Sequence, residues 1–92
     1  MNSNNFRYCV FSRKKIKKDL LYKISYDKKS KTFYFNKNNI KARSVYFLKD
    51  SIKNKKIKNI CELLLSRLKI ENNLKNIEMI KSFLKDGDLI HE

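Results

Sequence analysis

The stretch Lys41-Ala42-Arg43-Ser44-Val45-Tyr46-Phe47 lies just before the midpoint of the chain and sets an arginine beside an apolar, aromatic run. Polar residues 36–39 precede it, and Asp50-Ser51, which could cap a short helix, follows it. Aromatic and β-branched residues favour strands. The pattern therefore predicts a loop that delivers Arg43 to the edge of a strand over residues 45–48.

Charge is distributed unevenly along the 92 residues. Residues 1–58 carry 18 Lys and Arg against three acids, a net charge of +15, whereas residues 59–92 have a net charge of −1. The chain is rich in Lys, Asn and Ile, but a general compositional bias would spread its lysines evenly. The asymmetry therefore indicates a polyanionic partner for the first half. Nucleic acid is favoured over a membrane surface, because no basic amphipathic helix is predicted there.

The first half has the alternating pattern of short strands joined by polar connections of hairpin length, which favours an antiparallel sheet. Predicted strands cover residues 6–11, 21–26 and 32–35, in addition to 45–48. A loop is predicted at residues 12–15 and a single helical turn at residues 17–21.

The second half changes to helical spacing. Apolar residues predict helices over residues 57–69 and 74–84, and Gly87, the only glycine, suits a helix C-terminus with positive φ. The predicted fold class is α+β: a small antiparallel sheet of three to four strands packed with two to three C-terminal helices. Residues 6–86 form one domain in this prediction, between disordered residues 1–5 and a tail at 87–92.

Residues capable of catalysis or metal binding are scarce. His91 is the only histidine and lies next to the C-terminus. Cys9 and Cys61 have no further ligands at zinc-site spacing, and both are interpreted as small buried residues. A lone glycine cannot form a phosphate-binding loop. We therefore expect no enzymatic activity, metal, cofactor or small-molecule substrate.

Compartment signals point to the cytoplasm. Two cysteines are too few for a disulfide framework, and no apolar run approaches 18 residues. The N-terminal residues are polar and lack the core of a signal peptide. We expect no membrane association.

RNA is the predicted partner because cations and aromatic rings are interleaved in the basic half. Arginine offers a planar, five-donor group that suits phosphate contacts and stacking on bases. Single-stranded or looped RNA is bound by such rings and cations together. Most of the 11 aromatic residues of a domain this small should nevertheless lie in its core, with two or three exposed.

Three segments in this order resemble the YlxR family, also called the RNase P modulator: Arg7-Tyr8-Cys9-Val10, Leu20-Leu21 after Lys17-Lys18-Asp19, and Ala42-Arg43-Ser44-Val45-Tyr46. The resemblance covers roughly residues 6–70. It implies a small cytoplasmic bacterial RNA-binding protein whose partner is the RNA of ribonuclease P and which modulates the activity of that enzyme.

The chain departs from the family pattern at several positions. Ala42 and Ser44 replace two glycines of the signature, and Val45 replaces its alanine. Ser12 stands where the family often has a second cysteine, and Tyr22 where it has an arginine. If the loop required positive φ at Ala42, the strain would amount to about 1–2 kcal/mol; otherwise the loop has a different shape.

The predicted RNA-binding site centres on Arg43, which would contact a phosphate or a base edge. Tyr46 would stack on a base, support Arg43, or be a packing residue. Strand alternation would place these two side chains on opposite faces unless the chain bends between them. Phosphate contacts are predicted for Lys41, Arg7, Arg13, Lys14, Lys15, Lys55, Lys56 and Lys58. The alternative function is a protein-interaction module of the ribosome or the transcription machinery without a specific RNA target.

Overall fold

The computed structural model describes residues 5–90. Its element order is five short strands followed by two helices, which confirms the predicted α+β class. The chain divides into two compact units, Met1–Ile52 and Lys53–Glu92. The strands belong to the first unit and the helices to the second. The disorder predicted for residues 1–5 falls, Asn5 excepted, outside the described part of the chain.

The first unit contains two sheets rather than the single one predicted. Strand β1 (Phe6–Tyr8) pairs antiparallel with β2 (Lys15–Lys17) in a two-stranded hairpin. The prediction of one long strand over residues 6–11 was wrong, because the backbone turns at Cys9, whose N–H donates to the Lys14 carbonyl at 2.9 Å. Lys15, predicted in a loop, lies in a strand. Only Ile16 of the three residues of β2 is apolar, which is too little for an alternating pattern, so backbone pairing with β1 defines this strand.

The second sheet has three antiparallel strands in the order β4-β3-β5. Strand β3 covers Tyr22–Asp27, β4 covers Thr32–Phe35 and β5 covers Arg43–Phe47. The predictions for β3 and β4 are confirmed, while β5 begins two residues earlier than predicted. The helical turn predicted before β3 is confirmed as a 3-10 helix, Lys18–Leu20.

The two faces of this sheet differ in chemistry. On the apolar face Tyr22 stacks on Phe35 and Phe47, with ring centroids 6.1 and 5.8 Å apart. Ile24 pairs with Val45 on the same face, and both are buried. The opposite face is polar and is called the polar face below. Its residues are Lys23, Ser25, Asp27, Thr32, Tyr34, Ser44 and Tyr46.

The second unit consists of α1 (Ile57–Leu68) and α2 (Leu74–Asp86), which pack against each other. Both predicted helices are confirmed to within two residues at each end. Helix α1 buries a stripe that includes Cys61, as its spacing predicted. Asn73 caps α2, since its side-chain oxygen accepts from the Asn76 N–H at 2.9 Å.

Gly87 does not have the positive φ that was predicted for it. Its φ is −86°, and Asp88 instead has a φ of 58°. The reason is that α2 continues through Asp86, which moves the reversal of the chain one residue further along. Leu89 and Ile90, in the predicted tail, are both buried, at 9% exposed.

The short helix predicted after Asp50 is a 3-10 turn, Asp50–Ile52. Ser51 donates its hydroxyl to the Leu48 carbonyl at 2.6 Å. Between residues 5 and 90, neither helix is long and apolar enough to cross a membrane.

Candidate nucleic-acid interface

Tyr46 is the aromatic centre of the polar face. Its backbone is held on both sides: it pairs with Lys23 in β3, and its carbonyl accepts from the Val10 N–H at 3.0 Å. Cys9 forms a parallel bridge to the same residue. The Tyr46 side chain is half-buried. The backbone of Tyr46 is thus held by β3 on one side and by residues 9–10 on the other, while part of its side chain stays accessible.

Two cations lie beside the Tyr46 ring. The Arg7 guanidinium carbon is 5.7 Å from the ring centroid and the Lys23 Nζ is 5.9 Å from it. Both distances fall within the range of cation–π attraction. Arg7 also donates to the Phe6 carbonyl at 2.7 Å, which restrains its side chain. Arg7, Lys23 and Tyr46 together are called the Tyr46 cluster below.

An open, polar concavity of about 700 Å³ surrounds the Tyr46 cluster. Asn36 builds one wall, since its Oδ1 accepts from the Lys23 N–H at 2.9 Å and its own N–H donates to the Lys23 carbonyl at 2.8 Å. Asn38 and Asn39 add two further amides and Lys18 a further cation. Amides of this kind can pair with base edges, and the cations can contact phosphates.

Arg43 lies apart from the Tyr46 cluster. It pairs with Tyr26 at the other end of β5, and alternation places it on the face opposite Tyr46. Of the three roles considered for Tyr46, support of Arg43 is therefore excluded, and Tyr46 lies next to Arg7 and Lys23 instead. The chain does not bend enough between residues 43 and 46 to bring the two side chains together.

A second concavity, of about 430 Å³, contains Arg43 and is called the Arg43 groove below. Four exposed cations, Lys28, Lys29, Lys41 and Arg43, line it. Across residues 5–90 none of the four takes part in a recorded ion pair. The one carboxylate in the lining, Asp27, accepts from the Lys29 N–H at 3.0 Å and the Ser30 hydroxyl at 3.1 Å.

The loop before Arg43 does not need glycine at positions 42 and 44. Ala42 and Ser44 are not among the residues with positive φ, so Ala42 carries no left-handed strain. The left-handed positions fall earlier, on Asn36 at φ 54° and Asn39 at φ 63°. Asparagine tolerates this conformation better than most residues. The loop therefore has a shape that its own sequence can adopt.

The remaining predicted contacts lie on two other segments. Arg13 and Lys14 are exposed in the turn between β1 and β2, and Lys15 is exposed in β2. Lys55, Lys56 and Lys58 are exposed in the second unit, around the start of α1. A helix N-terminus disfavours cations, so the stability of α1 does not account for these three lysines.

Cys9 is a buried thiol that accepts hydrogen bonds. The N–H groups of Ser12 and Leu48 donate to its Sγ, each at 3.4 Å, and the thiol itself donates to the Ser51 hydroxyl oxygen at 3.7 Å. Burial raises the pKa of the Cys9 thiol, but the hydrogen bonds of Ser12, Leu48 and Ser51 outweigh burial and lower the pKa from 9.0 to about 7. The Ser12 hydroxyl is buried and lacks a partner among the described residues, which leaves it able to donate to a thiolate.

Four cations that line the two concavities were not among the predicted site residues: Lys18, Lys23, Lys28 and Lys29. Alternation with Tyr22, Ile24 and Tyr26 could have placed Lys23 on a polar face. Its position opposite Tyr46 depends on the pairing of β3 with β5, which the sequence does not reveal. Lys28 and Lys29 lie in the predicted hairpin connection, where lysine alone gives no signal.

Within residues 5–90 no group of three His, Cys, Asp or Glu side chains lies close enough to hold a metal ion. His91 is outside this range. Comparison of the chain with models of protein families, with curated proteins and with solved structures gives no match.

Proposed function

We propose that the protein is a non-catalytic RNA-binding protein that uses its first unit as the contact surface. The observation that carries the proposal is the Tyr46 cluster, in which Arg7 and Lys23 lie within 6 Å of one accessible aromatic ring. A base can stack on such a ring or on the guanidinium plane, and a neighbouring ammonium can contact the adjacent phosphate.

The distribution of charge along the chain also supports RNA as the partner. Residues 1–52 carry 14 Lys and Arg against three acids, a net charge of +11, whereas residues 53–92 have a net charge of +3. The Tyr46 cluster and the Arg43 groove both lie in the more basic unit. A polyanion that contacts both would release counterions at each, and its affinity would therefore depend strongly on salt.

The resemblance to the YlxR family supplies a specific target, the RNA of ribonuclease P. Under this proposal the protein binds that RNA and modulates the activity of the enzyme. The proposal for the target rests on the motif around Arg43 and Tyr46 and on the Arg7–Val10 segment.

The test is crosslinking of the protein to RNA in cells, followed by sequencing of the bound RNA and identification of bound proteins. Specific enrichment of ribonuclease P RNA is the expected result. Enrichment of ribosomal or transcription proteins without that RNA would instead support the protein-interaction alternative. In vitro, contact with six phosphates predicts a slope of about −4 to −5 for log K against log salt. A flat salt dependence would refute the electrostatic part of the proposal.

A further inference from the structure

The β1–β2 hairpin presents two aromatic rings on its outer face. Phe6 is 44% exposed and Tyr8 is 47% exposed, more than any of the other nine aromatic residues, all of which the structure describes. The two residues alternate with Arg7 along β1, so they share the face opposite to Arg7. Packing within the fold does not explain why these two positions are aromatic, because within residues 5–90 neither ring contacts another aromatic ring.

Each exposed ring has a lysine directly across the hairpin. Phe6 pairs with Lys17 and Tyr8 pairs with Lys15, and both lysines are exposed. Side chains opposite each other in an antiparallel pair lie on the same face, with Cβ atoms about 4.5–5.5 Å apart. No ion pair is recorded for either lysine in the described part of the chain. These four side chains form one surface, which is called the hairpin platform below.

The charge of the hairpin indicates which class of partner it can bind. Residues 6–17 contain five cations and no acid. A second copy of this chain would bring two such surfaces together, and like charges would oppose that contact. A polyanion with flat apolar groups matches both the cations and the rings, and single-stranded RNA has this combination.

We propose that the hairpin platform binds single-stranded RNA by stacking bases on Phe6 and Tyr8, with Lys15 and Lys17 contacting the adjoining phosphates. This inference rests on the proposed function and adds the class of RNA. The two rings are separated by two residues of a strand, about 6.6 Å. That spacing suits bases that are splayed apart, as in loops and single strands. A duplex keeps its bases stacked on one another, so it cannot use these rings.

The test compares binding of a fluorescent single-stranded oligonucleotide and a duplex RNA of the same length. The variant Phe6→Ala/Tyr8→Ala should lose about 5- to 150-fold in affinity for the single strand for each base that no longer stacks. Its affinity for the duplex should change less than about twofold. Phe6→Trp/Tyr8→Trp should keep the wild-type affinity, because the rings are retained. Leu74→Ala/Met79→Ala, which removes two exposed apolar side chains from α2, is the matched control and should bind like the wild type.

Three outcomes would overturn the inference. The first is that the wild type and Phe6→Ala/Tyr8→Ala bind the single strand with equal affinity. The second is that Phe6→Ala/Tyr8→Ala loses as much affinity for the duplex as for the single strand. The third is a Phe6→Ala/Tyr8→Ala variant that binds RNA like the wild type but no longer binds phosphatidylserine vesicles, or no longer self-associates in sedimentation. If Tyr46→Ala still weakens RNA binding in these cases, the proposed function stands and the hairpin platform alone fails. If the wild-type protein binds no RNA, the proposed function itself fails.

Discussion

Arg43 and Tyr46 lie three residues apart on β5 and on opposite faces of the three-stranded sheet. Arg43 pairs with Tyr26 and lines a groove with three lysines, whereas Tyr46 pairs with Lys23 and lies beside Arg7. Within residues 5–90 the two residues therefore share no partner. If both contact RNA, they contact different parts of it, and the effects of changing them should be independent.

The first prediction is that changes at Arg43 and at Tyr46 affect RNA binding independently. Tyr46→Ala should weaken RNA binding by about 1–3 kcal/mol through loss of stacking. Tyr46→Phe should bind like the wild type, since the ring remains. Arg43→Ala should weaken binding of all RNA sequences alike and make the salt slope shallower by about 0.7–0.9, the contribution of one phosphate. The measurement is fluorescence anisotropy at several salt concentrations.

The double variant Arg43→Ala/Tyr46→Ala provides the control for this prediction. Changes at sites without shared partners add to within about 0.5 kcal/mol. A double variant no weaker than Tyr46→Ala alone would contradict the separation of the two sites. Arg43 is exposed, so its replacement should leave the melting temperature unchanged. A large drop would identify Arg43 as a structural residue.

The helices and the strands β3 and β4 could be predicted because their apolar residues recur with the period of the element. Strand β2 could not, since Lys15-Ile16-Lys17 has one apolar residue and forms by backbone pairing with β1. The end of β1 at Tyr8 was missed for a related reason. Residues 6–11 alternate well, yet the chain turns where the Cys9 N–H and carbonyl bond to Lys14 and Arg13.

The candidate site was predictable in part. Alternation alone separates Arg43 from Tyr46, and the basic first half was evident from charge. The sequence does not contain the register that places Lys23 opposite Tyr46 and Lys17 opposite Phe6. Register is set by turn geometry and by the packing of a whole face, which only the folded chain reveals.

The second prediction concerns two serines of the polar face. The hydroxyls of Ser25 and Ser44 are 2.7 Å apart, and Ser25 is only 1% exposed. Ser44→Ala leaves the buried Ser25 hydroxyl without this partner, which should cost about 1–3 kcal/mol of unfolding free energy. Ser25→Ala should cost less, because Ser44 also donates to the Ala42 carbonyl at 3.3 Å.

Removing both hydroxyls distinguishes the free energy of the hydrogen bond from the cost of leaving one buried hydroxyl unpaired. Ser25→Ala/Ser44→Ala should be more stable than Ser44→Ala alone, because no buried hydroxyl is left unpaired. Urea unfolding of the four proteins gives the comparison. Strictly additive losses would show that the two hydroxyls do not interact.

The third prediction is a pH dependence of stability from Cys9. The pKa of the Cys9 thiol is lowered from 9.0 to about 7 in the folded protein. Between these values the unfolded chain binds more protons than the folded one at this residue. Stability should therefore rise as the pH increases from 7 to 9, and this contribution is lost as the pH falls through 7.

Urea unfolding between pH 6 and pH 9 measures this effect. Cys9→Ala should remove the rise with pH that the thiol contributes, because the titrating group is gone. Cys61→Ala is the matched control: it also removes a buried thiol, and it should leave the rise in place. A Cys9→Ala protein with the pH dependence of the wild type would contradict the lowered pKa.

The fourth prediction tests the end of α2. Gly87 has a φ of −86°, which alanine can adopt, so Gly87→Ala should stabilise the protein by about 0.4–1 kcal/mol by restricting the unfolded chain. Asp88 has a φ of 58°, so Asp88→Ala should destabilise it, since alanine is strained there. The two adjacent substitutions should thus act in opposite directions in urea unfolding. If Gly87 instead held the left-handed position, as its sequence context predicts, Gly87→Ala would lower stability by about 1–2 kcal/mol. The sign of that single change decides which residue reverses the chain.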